Sequence, residues 1–226
     1  MPLATFKDLC LDAHDPVLVG EFWAGVLGLE LHRQEGGDTY LTGPTPQHTI
    51  WVNRVPEPKT VKNRVHLDVN AGSVAELEAL GATVLDAESF RWVLMADPEG
   101  GELCVFLREG PITQRLYEIV VDTGDSPEEA HRLAAWWAEV LGGRLVDTER
   151  GFSYVDRVPG APYDSLDFIP VPEPKTVKNR VHLDVTTADL DALVAAGATV
   201  LRAQDADLGW TVLADPAGNE FCAFPA

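Results

Sequence analysis

The sequence has little of what would tie a protein to a membrane, an oxidising compartment or a nucleic acid. No stretch approaches about 18 consecutive apolar residues, which argues against a membrane-spanning helix. The opening MPLATFKDLCLDAHDP lacks the basic and then apolar pattern of a secretory signal. Only three cysteines occur, Cys10, Cys104 and Cys222. They cannot all pair and their spacing fits no disulfide framework, so they read as reduced thiols and a cytoplasmic location is expected. Positive charge is scarce: 17 Lys and Arg stand against 36 Asp and Glu, a formal net charge of −19. Repulsion from phosphates therefore argues against nucleic acid or an anionic membrane as the main partner. A Gly-rich phosphate loop, a Ser nucleophile elbow and a CxxC pair are absent, which removes the reaction classes they mark.

What is present is repetition. VPEPKTVKNRVHLDV occupies residues 55–69 and recurs without a change at residues 171–185. Of the five lysines, four (Lys59, Lys62, Lys175, Lys178) lie in this stretch, and with Arg64 and Arg180 each copy is a basic island on an acidic chain. The similarity extends outward: LGATVL at 80–85 is answered by AGATVL at 196–201, and WVLMADPEGGELCVF at 92–106 by WTVLADPAGNEFCAF at 210–224. Upstream, EFWAGVLGLEL at 21–31 matches AWWAEVLGGRL at 135–145, and KDLCLD matches YEIVVD. The chain thus reads as two homologous halves, residues 1–110 and 115–226, joined near the Gly- and Pro-containing segment 108–114.

Each half carries one pattern twice. A short strand, LCLDA, precedes Asp15 as N-cap and Pro16 at the first helical position. Apolar residues at 18, 19, 22, 23, 26 and 27 then keep helical spacing until Gly28, and strand-like pieces follow around 29–33, 38–42 and 48–53. RVHLDV restarts the cycle. Ser73 with Glu76 forms a capping box, Gly81 ends the helix, and ATVL, WVLMA and ELCVF are strands. Ser126-Pro127 with Glu129, and Thr186 with Asp189, open the corresponding helices of the second half. The fold class is α+β: four βαβββ units.

A pair of βαβββ units, with D-P and F-W-x-x-V-L-G near the start and H-L-D-V in the middle, resembles the vicinal oxygen chelate superfamily, in its glyoxalase-like and bleomycin-resistance-like branch. The resemblance covers essentially the whole chain and implies a tandem glyoxalase/bleomycin-resistance/dioxygenase fold, with two cup-shaped mixed sheets whose concave faces bind ligands. It does not single out a reaction, because the superfamily includes isomerases, lyases, dioxygenases and proteins that only bind drugs.

Members that need a metal take ligands from the first and last strands of each unit. Carried over by position, those places are Asp8, Trp51, His66 and Cys104 in the first half, and Glu118, Asp167, His182 and Cys222 in the second. Trp51 cannot ligate a divalent ion. The second half keeps two carboxylates, an imidazole and a thiol, so a divalent ion (Mn, Zn, Ni, Fe or Mg) is expected there, held by Glu118, Asp167 and His182. The family pattern of two histidines with glutamates is not reproduced in either half.

Alternation along RVHLDV puts Val65, Leu67 and Val69 on one face and Arg64, His66 and Asp68 on the other. The valines and leucine pack against helices, which leaves the polar trio for the cup. Glu102, Cys104 and Phe106 share a face in the same way, as do Glu220, Cys222 and Phe224. The expected ligand-binding residues are therefore Asp8, Trp51, Arg64, Glu102, Cys104, Arg180, Glu220 and Cys222, with His66 and His182 as candidate general bases. Plainer readings stand beside these. Asp68 could bond backbone amides, Trp92 and Trp210 could be core aromatics, and the identity of the two stretches could record recent copying.

Function is expected to be binding of a small molecule, with lyase or isomerase chemistry within range, in a monomer or homodimer. Two alternatives remain open. One is a metal-dependent enzyme working from the second half, and the other a metal-free sequestration protein whose acidic, Trp-lined cup holds a cationic compound.

Overall fold

Local signals set the elements. Asp15 accepts from the amides of Val17 and Leu18 and caps α1 (Pro16–Leu27), which Gly28 ends in the left-handed region at φ 69°. This helix follows β1 (Thr5–Ala13) and precedes β2 (Glu30–Arg33), β3 (Thr39–Thr42) and β4 (Ile50–Arg54). The second unit is β5 (Val65–Ala71), α2 (Val74–Glu78), β6 (Thr83–Asp86), β7 (Val93–Ala96) and β8 (Glu102–Leu107). The third is β9 (Leu116–Thr123), α3 (Pro127–Leu141), β10 (Arg144–Asp147), β11 (Ser153–Asp156) and β12 (Ser165–Pro170). The fourth is β13 (Val181–Thr187), α4 (Leu190–Ala195), β14 (Thr199–Arg202), β15 (Thr211–Ala214) and β16 (Glu220–Pro225). The computed structural model describes all residues, 1–226. The four βαβββ units expected from the sequence are present, with one local change: α4 is capped by Asp189, whose side chain accepts from the Ala192 amide, and not by Thr186.

The sheets do not follow the halves. One eight-stranded sheet has the order β14-β15-β16-β13-β1-β4-β3-β2 and joins the first unit to the fourth. The other has the order β10-β11-β12-β9-β5-β8-β7-β6 and joins the second unit to the third. We call these cup I and cup II. Each is mixed and open: the antiparallel centre (β1 with β13, β5 with β9) is flanked by parallel pairs, as in β1 with β4 and β5 with β8. The ligand positions assigned half by half from the sequence are therefore divided between the two cups.

The duplicated stretch makes this crossing. Residues 55–64 carry the chain from β4 in cup I to β5 in cup II, and the second copy carries it back from β12 to β13. Prolines hold these two straps extended. Lys59 pairs with Glu102 at 2.8 Å and Lys175 with Glu220 at 2.8 Å, and the Asn63 and Asn179 amides donate to the same two carboxylates at 3.1 Å each. Arg64 reaches the carbonyls of Asp122 and Thr123 at 2.9 and 2.6 Å and that of Glu173 in the opposite strap. Arg180 in turn reaches the carbonyl of Glu57 at 3.0 Å. The straps interlock.

Between the sheets lies one apolar core shared by all four units. Val65, Leu67 and Val69 are buried in it, as are Val181, Leu183 and Val185. Phe221 is fully buried against Trp136 and Trp137 of α3, so the third and fourth units are packed together even though they belong to different sheets. The opposite faces of the sheets are left for the cups.

Candidate functional site

In cup I, alternation along β1 points Asp8, Cys10 and Asp12 to one side, and β13 contributes His182 and Asp184. Cys10 is the cross-strand partner of His182, and Asp8 of Asp184. From β16, Cys222 stands beside Asp184. The His182 Nε2 lies 3.5 Å from the Cys222 Sγ and 3.3 Å from the Asp184 Oδ1. Burial opposes charge on this imidazole, but the Cys10 and Cys222 thiols and the Asp184 carboxylate outweigh it and hold the pKa well above the ordinary histidine value. The Asp8 Oδ2 accepts from Lys7 at 2.5 Å and from the Trp51 indole at 3.2 Å. Burial, with help from Asp184, raises the Asp8 carboxyl to about 6.

Cys10, Asp12, His182, Asp184 and Cys222 lie at the floor of a cavity of about 500 Å³. Its wall includes Trp51, Trp210, Phe224 and Leu208, and Lys178 and Glu220 stand at its edge. Trp210 stacks on Phe224 at 5.1 Å, and the Lys7 ammonium sits 4.2 Å from the centre of the Phe224 ring.

Cup II carries different chemistry on the same scaffold. His66 turns the other way: its Nδ1 lies 2.6 Å from the Asp68 Oδ1, which also accepts from the Cys104 amide at 3.2 Å. Asp68 therefore does bond a backbone amide, although on β8 and not in the helix-capping loop. Glu118 on β9 faces Asp68 across the strand pair, and Asp167 on β12 lies in register with Val120, the partner of His66. Burial first, then repulsion from Asp167 and Asp68, pushes the Glu118 carboxyl up to about 8. Burial also raises Asp167 to about 7, against a hydrogen bond from the Ser165 hydroxyl at 2.5 Å. An aromatic wall runs Phe90, Trp92, Phe106, Tyr117, with ring spacings of 5.1, 5.6 and 4.9 Å.

The residues singled out by sequence are therefore regrouped. Glu118 and Asp167 share cup II with His66 and Cys104, whereas His182 belongs to cup I with Asp8, Trp51 and Cys222. The set Glu118, Asp167 and His182 is not one site. Arg64 and Arg180 are spent on the straps and do not line the cup I cavity. Both Glu102 oxygens are engaged by its own strap, through the Lys59 ammonium and the Asn63 amide. Glu220 makes the same strap contacts but also borders the cavity. Sequence reasoning passed over Cys10 and Asp184. The period-two alternation from Asp8 was the available signal for Cys10, and the repeat of Asp68 was the signal for Asp184.

A divalent ion of the kind the family resemblance implies fits the two cups unequally. Cup II offers two carboxylates and an imidazole at the implied positions, oxygen-rich chemistry suited to a hard or borderline ion. Cup I has a tryptophan at one of those positions, and that indole donates to Asp8. It does not fit the oxygen-rich set.

Paired βαβββ units with polar side chains on the floors of two concave sheets define a vicinal oxygen chelate fold. Residues 8–106 and again 118–224 match the family described as Glyoxalase-like domain, and the chain belongs to that family. Solved structures agree on the fold. Glyoxalase I from Zea mays superposes with a TM-score of 0.69 at 13% identity, covering 97% of this chain and 92% of that one. A putative dioxygenase from Bacillus subtilis gives 0.64 at 17% identity, covering 100% and 86%. The cppA protein from Streptococcus pneumoniae gives 0.52 at 13% identity, covering 99% and 100%. No curated protein matches by sequence. No helix is long and apolar enough to cross a membrane.

Proposed function

We propose that the protein binds a small organic molecule in cup I and acts on it by proton transfer, as a lyase or isomerase of the glyoxalase-like kind. The observation that carries this reading is the cavity of about 500 Å³ with aromatic walls and an imidazole, two thiols and carboxylates on its floor. That volume is in the range of small-molecule sites, roughly 300–1,000 Å³. The flat rings of Trp51 and Trp210 hold a planar or unsaturated ligand, and His182, whose pKa its neighbours hold above the ordinary histidine value, gives its proton to a ligand oxygen as charge develops there. Three unpaired cysteines support a reducing, cytoplasmic setting. Each cup is complete within one chain, which supports a working monomer.

The test is a screen of small carbonyl and aromatic compounds by tryptophan fluorescence, repeated with Trp210→Ala and His182→Gln. Saturable quenching that Trp210→Ala weakens, with turnover that His182→Gln abolishes while binding persists, is the expected result. Equal binding by wild type and Trp210→Ala removes cup I as the site.

A second reading is favoured by the carboxylate pair of cup II. There Glu118, Asp167 and His66 hold a divalent ion that polarises a ligand oxygen. Metal content measured on wild type, Glu118→Gln and His182→Ala separates the cups: loss with Glu118→Gln alone supports cup II, and equal content in all three excludes it.

A further inference from the structure

Outside the cups, the two straps enclose a cleft of their own. Residues 57–64 of the first strap and 177–180 of the second surround a cavity of about 250 Å³. Five cations stand on its wall: Lys59, Lys62, Arg64, Lys178 and Arg180. Only Asp12 and Glu57 bring acidic side chains to it. On a chain with a formal net charge of −19, the cleft reverses the local sign. Because the straps share one sequence, the cations come in matching pairs, Lys62 with Lys178 and Arg64 with Arg180. The reciprocal bonds of the two guanidiniums to the Glu173 and Glu57 carbonyls give the cleft an approximate two-fold arrangement.

The lysines and arginines are partnered differently. Lys59 pairs with Glu102 at 2.8 Å, Lys62 with Asp122 at 2.5 Å and Lys178 with Asp12. Every side-chain hydrogen bond of Arg64 and Arg180 ends instead on a backbone carbonyl. Arg180 has one carboxylate neighbour, Glu99, at 3.6 Å and outside hydrogen-bond contact. A carbonyl satisfies an N–H but leaves the charge of the ion uncompensated, and a charge held out of water is costly until an opposite one neutralises it.

Three side-chain atoms of this wall are buried without a hydrogen-bond partner: the Arg64 Nε, the Arg180 Nη2 and the Asn179 Oδ1. Buried polar groups are satisfied in nearly all folded proteins, so two charged donors and one acceptor on a single cavity point to a ligand. The donors call for an anion, and the acceptor calls for an O–H on that same anion. A partly protonated phosphoryl group has both.

We infer that the cleft between the straps binds a small phosphoryl anion through Arg64 and Arg180, with Lys62 and Lys178 at its mouth. Guanidinium forks match the geometry of phosphate oxygens. The two lysines are 50% and 52% exposed, and each ammonium keeps donors beyond the one given to its carboxylate. The volume is below the roughly 300–1,000 Å³ of sites for larger organic ligands, which suits a compact ion. Screening limits surface fields to about 8 Å at physiological ionic strength, so a small anion in the cleft meets its basic wall and little of the acidic surface. A nucleic acid would span both.

The cleft shares only Asp12 and Lys178 with the cup I cavity, and the inference does not depend on the activity proposed for that cup. Wild-type protein in phosphate-free buffer is titrated calorimetrically with inorganic phosphate, diphosphate, phenyl phosphate and sulfate. The expected result is one site per chain with a Kd below about 1 mM for at least one phosphoryl compound, at least about tenfold tighter than for sulfate. Tightest binding of phenyl phosphate supports the site and assigns the group to a phosphorylated metabolite; tightest binding of phosphate or diphosphate supports it and assigns the free ion. Arg180→Gln weakens binding at least about tenfold and the more exposed Lys178→Gln at least about threefold. Arg132→Gln, in the adjoining cavity beside α3, and Trp210→Ala, in cup I, leave it unchanged. Circular dichroism checks that the variants are folded. No saturable phosphoryl binding by wild type, sulfate held as tightly, undiminished affinity in both Arg180→Gln and Lys178→Gln, or loss with Arg132→Gln or Trp210→Ala overturns the proposal.

Discussion

The Arg64 guanidinium donates to the carbonyl of Glu173, a residue 109 positions further along the chain, and Arg180 returns the contact to the carbonyl of Glu57. These reciprocal bonds join the two straps at the place where the chain passes between the sheets. Arg64 has three carbonyl acceptors and no carboxylate partner among its hydrogen bonds. Its contribution is geometric: a planar fork that a flexible ammonium does not replace. Arg64→Ala is expected to cost about 1.5–3 kcal/mol in denaturant unfolding, with Arg64→Lys recovering less than half. A Lys variant as stable as wild type would show that charge alone matters here.

Stability depends on pH through cup II. Glu118 titrates near 8 in the folded chain against an ordinary value of 4.5, and Asp167 near 7 against 3.8. Between those limits the folded state binds more protons than the unfolded state, so stability falls as pH rises from about 4 to about 8. Glu118→Gln removes one of these charges and is expected to raise the melting temperature at pH 8 by at least about 3 °C, with a smaller effect at pH 5. A melting profile that Glu118→Gln leaves unaltered at both pH values would contradict this account.

Gly20 on α1 lies where the helix meets β3. A Cβ built there falls 2.5 Å from the Thr39 hydroxyl, which itself donates to the Pro16 carbonyl at 2.9 Å. Replacing a helical glycine by alanine ordinarily stabilises, by about 0.5–1 kcal/mol. Here the clash reverses the sign, and Gly20→Ala is expected to destabilise by about 1–3 kcal/mol. Adding Thr39→Ser tests the cause, because loss of the methyl group lets the hydroxyl turn aside and restores part of the difference.

The sequence made the elements legible because each carries its own start and stop: Asp15 and Gly28 bracket α1, and Ser126 and Gly142 bracket α3. The partnership of the units was not legible. VHLDV is identical in β5 and β13, so a first unit meets the same backbone and side chains whichever copy it pairs with, and alternation cannot choose between them. The choice is made by tertiary contacts that periodicity does not encode, such as Trp136 donating to the Ala196 carbonyl and Trp137 to Asp215. The site suffered in proportion. His66 and His182 were found by position, but assigning Glu118 and Asp167 to the wrong histidine followed directly from pairing the units by halves. Cys10 was read only as an unpaired thiol, although its two-residue spacing from Asp8 put it on the same face.

Because both straps cross between the sheets, cup II is built from one continuous run, residues 65–170, whereas cup I draws on two segments at opposite ends of the sequence, 5–54 and 181–225. During synthesis on a ribosome the first unit must wait, its β1 edge unpaired, until almost the whole chain has emerged. Cup II can close much earlier and serve as the template on which the remaining strands dock. The same arrangement makes each repeat alone an unfinished object, holding half of each cup. Two separate repeats, cut within 108–114, have the complementary edges needed to reassemble both cups, and a lone repeat has the edges to recruit a second copy of itself.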